Sequence, residues 1–103
     1  MSDYVADVKK YTSNVNEEAV DKIVKYCGIA LRSKDASLVS SSDPKELNTV
    51  AKGFAAKKLE LSLDEANAGI EKVCAILKGV RQKHRVTFYY LLAEQTGTMS
   101  KLA

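Results

Sequence analysis

The 103 residues are 46% hydrophobic and 28% charged, with a formal net charge of +3. That balance fits one globular domain spanning residues 1–103 and excludes a disordered chain. It is too weakly basic for a dedicated nucleic-acid binder, and no apolar run approaches the ~20 residues of a membrane span.

The start, Met-Ser-Asp-Tyr, has neither the positive region nor the apolar region of a secretory signal. Cys27 and Cys74 both fall on apolar helix faces, which predicts small buried thiols in a reducing cytoplasm rather than a disulfide. Charge is unevenly placed. Residues 1–51 hold 7 basic and 8 acidic groups, a net −1, and residues 52–103 hold 9 and 5, a net +4.

In chain order, Asp3 to Tyr11 predicts a short first helix, with Ser2 as cap and Tyr4, Val8 and Tyr11 on one face. It is too short to stand alone and must dock. A second helix starts near Asn14 or Asn16, where Asn14 and Glu17 have capping-box spacing. Ala19, Val20, Ile23, Val24 and Cys27 fill its apolar face, and Gly28 either ends it or is crossed at a cost of ~1 kcal/mol. Residues 33–42 form the long connection. Asp43 then caps and Pro44 takes the first position of a third helix, with Leu47, Val50, Ala51 and Phe54 inward and an end near Lys57-Lys58.

Ser62 and Glu65 form the capping box of a fourth helix. Leu63, Ala66, Ile70, Val73, Cys74, Leu77 and Val80 share its apolar face, and Gly79 is its expected end. The last helix, Arg85 to Thr96, holds three of the seven aromatic residues. Its residues are apolar nearly all round, apart from a stripe of Thr87 and Glu94, so other helices must cover it. Gly97 supplies the left-handed position after its end. The fold expected is an all-α bundle of five helices, or six if Ile29 to Arg32 is separate, around this central helix. Leu92, Tyr90, Val73, Leu77 and Val24 are expected in its core.

Asp3–Tyr11, Ile29–Arg32, Ser42–Leu47 and Arg85–Glu94 together resemble a small bacterial family of unknown function, DUF2853. The resemblance runs in order over nearly the whole chain. It implies a compact helical domain in a bacterial cytoplasm, and it implies no activity and no functional residue.

The residues themselves give no catalytic group. His84 is the only histidine, and neither cysteine is near it in sequence. The cysteines are 47 apart, too far for the close pair of a zinc site, so no metal or cofactor is expected. The five glycines are isolated and make no phosphate loop. The link from Lys78 to Arg85 holds Lys78, Arg81, Lys83, His84 and Arg85 with no acid. One reading is a solvated helix end whose cations face a helix dipole. The other is an anion site, with these residues set around the free N–H groups of the last helix. The function favoured is a non-catalytic interaction or regulatory module with a protein partner. A homodimer would follow if one sector of the last helix were left uncovered. Anion or nucleic-acid binding by the link is the alternative, and an enzyme comes third.

Overall fold

A computed structural model describes residues 3–13, 15–28, 38, 39, 43–80 and 83–102. Ser2, Asn14, Ile29 to Arg32 and most of the expected long connection lie outside the described residues, and so does Arg81. The described chain is all-α. Its α-helices are α1 (Asp3–Val8), α2 (Glu17–Cys27), α3 (Pro44–Val50), α4 (Leu63–Ile76) and α5 (Arg85–Gln95). A π-helical turn, Ala51–Ala55, continues α3, and a 3₁₀ turn, Met99–Leu102, follows α5. No helix among the described residues is long and apolar enough to cross a membrane.

Local chemistry sets the helix ends. The Asn16 side chain accepts from the Ala19 N–H at 3.2 Å, so α2 starts from Asn16 and not Asn14. Gly28 ends α2 at φ 48°, a conformation open to glycine. Asp43 caps α3 through the Lys45 N–H, with Pro44 in the first position. Both arms of the Ser62–Glu65 capping box are made. At the end of α5, Thr98 N–H donates to the Ala93 carbonyl and Gly97 N–H to that of Glu94. This paired closure requires the left-handed φ of 69° at Gly97.

Three elements differ from expectation. α1 stops at Val8, because its hydrogen bonds tighten to i→i−3 at Lys10 and Tyr11. The third helix widens into the π turn, whose Ala51, Phe54 and Ala55 are buried in the core. α4 ends at Ile76, ahead of Gly79, and closes through a turn from Leu77 to Val80.

α5 is the centre. Every residue from Val86 to Ala93 is buried, and α1, α2, α4 and both turns pack on it. Tyr89 lies on Phe54 of the π turn, ring centroids 4.1 Å apart and planes 9° from parallel. Its polar stripe is the track for α1: Thr87 donates to Asp7, Thr12 donates to Glu94 at 2.7 Å, and Tyr4 meets the ring of His84 edge-on. The Tyr90 hydroxyl accepts from the Asn16 N–H at 2.8 Å and ties in the start of α2. No sector of α5 is left open among the described residues, so the condition on which the expected dimer rested is not met.

The core holds Leu92, Tyr90, Val73 and Leu77 as expected, but Val24 is only half-buried. Leu63, the first residue of α4, is 48% exposed rather than inward, because it precedes the first turn that reaches the core.

Candidate functional site

Among the described residues, the basic link does not gather its cations on one open face. Lys78 is exposed, and Arg81 lies outside the described residues. Lys83 is half-buried and donates from Nζ to the Val80 carbonyl at 2.6 Å. His84 precedes α5 without capping it, and its buried Nδ1 has no hydrogen-bond partner among the described residues. Leu38 forms an antiparallel bridge with His84, and the Val39 N–H donates to the Lys83 carbonyl at 2.8 Å. This short extended segment lies beside the helix start where an anion would approach.

Arg85 turns inward. Its guanidinium donates to the Tyr89 hydroxyl at 3.0 Å, to the Leu38 carbonyl at 3.2 Å and to the Glu46 carboxylate. Burial works against its charge, but the bonds to Tyr89 and Glu46 outweigh that and leave its pKa raised. Burial likewise pushes Tyr89 up, with Arg85 opposing. Arg85 therefore ties α3 and residue 38 to α5, as a half-buried pair whose guanidinium is occupied by internal acceptors.

Next to this tie is a row of aromatic rings. Tyr26 sits edge-on to Phe54 at 5.4 Å, and Phe54 stacks on Tyr89. The row ends at the surface. Tyr26 is 38% exposed, with Lys58 Nζ 5.5 Å from its ring centroid. Both cysteines are half-buried rather than enclosed. Burial raises the Cys27 thiol to about 11 against the partial opposition of Arg85, and burial also raises Cys74. Such thiols are protonated at neutral pH and are poor nucleophiles.

The family model for a protein of unknown function, DUF2853, matches residues 3–100. The chain belongs to this family. No curated protein matches it. The family brings no assigned chemistry, so function must be read from the side-chain groups that the fold leaves available.

One such set lies at the other end of α5. Glu65, Ala68, Gly69 and Lys72 of α4 face Gln95 and Thr96 across an open groove of about 200 Å³, with Leu61 at its edge. Gly69 allows the close approach: a Cβ there would lie 2.5 Å from Thr96 Cγ2 and 2.8 Å from Leu92 Cδ1. The α4 stripe can be read from its spacing. The approach of Gln95 is tertiary and left no mark in the sequence.

Proposed function

We propose that the chain is a non-catalytic interaction or regulatory module of the cytoplasm, and that it engages an acidic protein segment through the Tyr26 face. The observation that carries this reading is the exposed Tyr26 ring, held on the Phe54–Tyr89 stack with Lys58 over it. A rigid, partly buried tyrosine is a typical interface anchor. Lys22, one helical turn before Tyr26, and Lys57 and Lys58 are exposed and make no ion pair among the described residues. Their charge suits an acidic partner.

Anion binding by the link is the second reading. Exposed Lys78 and His84 Nδ1, unpartnered among the described residues, favour it, whereas the pairing of Arg85 with Glu46 removes one of its cations.

The test is capture from the native cell by the parent and by a Tyr26→Ala/Lys58→Glu variant, with light scattering on both. A partner retained by the parent and lost by the variant supports the reading. A partner held equally by both, or a turnover that depends on Cys27 or His84, overturns it.

A further inference from the structure

We propose that the groove between α4 and the C-terminal end of α5 binds a small zwitterion, a free amino acid or dipeptide with an apolar side chain. The site uses none of the Tyr26 face and stands or falls separately from it.

Size sets the first limit. About 200 Å³ lies below the range of pockets for drug-sized ligands but suits one or two amino-acid residues. Charge sets the second. Glu65 and Lys72 stand seven residues apart on one stripe of α4, about 10 Å along the axis at 1.5 Å per residue. That is too far for them to pair with each other, but near enough for both side chains to lean over the space between. Lys72 makes no ion pair among the described residues. Glu65 accepts from the Ser62 N–H through Oε1 at 3.1 Å, which fixes the carboxylate and leaves Oε2 free to accept from an ammonium group.

Between the two charges lie Ala68 and Gly69, too small to fill the groove. The Gln95 carboxamide has no hydrogen bond among the described residues and can donate to a carboxylate. Leu61 and the Ala68 methyl give an apolar wall for the ligand's side chain. A ligand carrying both charges answers every one of these groups, and a singly charged one leaves Glu65 or Lys72 without a partner.

The test is amide chemical-shift mapping on the ¹⁵N-labelled chain with four probes: L-leucine, glycyl-L-leucine, N-acetyl-L-leucine and L-leucinamide. The two zwitterions should give saturable shifts centred on Ala68, Gly69, Lys72, Gln95 and Thr96, at least about tenfold tighter than the singly charged probes. Lys72→Ala and Gln95→Ala should each weaken binding by about tenfold or more while the melting temperature holds. Equal response to all four probes, no saturable shift at about 20 mM ligand, or shifts indifferent to Lys72→Ala would overturn the proposal.

Discussion

At the N-terminal end of α5, Arg85 is held by Glu46, Tyr89 and the Leu38 carbonyl. At its C-terminal end, Lys72, Glu65 and Gln95 surround a groove with a charge or an amide still unpaired. The basic end stands out in the sequence because its cations are dense. The groove end does not, because its groups are spread over α4 and α5. Charge density along a chain counts residues, but recognition uses only charge that the fold leaves uncompensated. In this molecule Arg85, at the dense end, is spent on bonds within the fold.

The largest effect should come from the shared core. Leu92 is fully buried where α4 meets α5, so Leu92→Ala should cost about 2–5 kcal/mol in denaturant unfolding. A melt within a degree of the parent would remove α5 from the centre of the fold.

Arg85→Ala tests the basic end itself. It strands Glu46, whose side chain is 24% exposed, so the loss should fall below the 3–5 kcal/mol of a fully buried pair, at about 2 kcal/mol. A loss of a few tenths would mean that the tie from Arg85 to Glu46 adds little to the fold.

Gly69→Ala tests the groove end, and its sign is informative. In an open helix this change stabilises by ~1 kcal/mol. Here the new methyl meets Thr96 Cγ2, on a side chain fixed through Oγ1 to the Leu92 carbonyl at 2.8 Å. Net destabilisation of about 1 kcal/mol is expected, with partial recovery on adding Thr96→Ser, which leaves the 2.8 Å approach to Leu92 Cδ1 in place. Stabilisation by the single change would show that the helices are not in close contact.

The smallest effect is on reactivity rather than stability. Cys27 at about 11 stands two pH units above its ordinary 9.0, so at neutral pH it carries about a hundredfold less thiolate. Alkylation of Cys27 in native buffer should be slower by about that factor than in denaturant. Rapid native alkylation would reopen thiol chemistry beside Arg85.

Much of the fold was legible because its signals are local. Asp43-Pro44, Ser62 with Glu65, and Gly97 each mark a helix end through a bond that spans only a few residues. The apolar surround of α5 predicted its burial, and the stripe of Thr87 and Glu94 predicted where polarity would lie. Their partners were not legible, because Asp7 is 80 residues from Thr87 and Thr12 is 82 from Glu94. Glu46, 39 residues from Arg85, turned a predicted anion ligand into a tie for the same reason. The π turn has no sequence signal of its own beyond apolar residues that a regular helix would also place inward. Gln95 joined the groove only through the packing of α4 on α5.

The most direct measurement is amide shift mapping with inorganic phosphate at low salt, on the parent and on a Lys78→Glu/Lys83→Glu variant. If the cations beside α5 serve the fold, phosphate will give no saturable shift from Lys83 to Thr87, and the two proteins will respond alike. Saturable shifts in that segment that fade with salt and vanish in the variant would place a working anion site at the basic end and contradict this assignment.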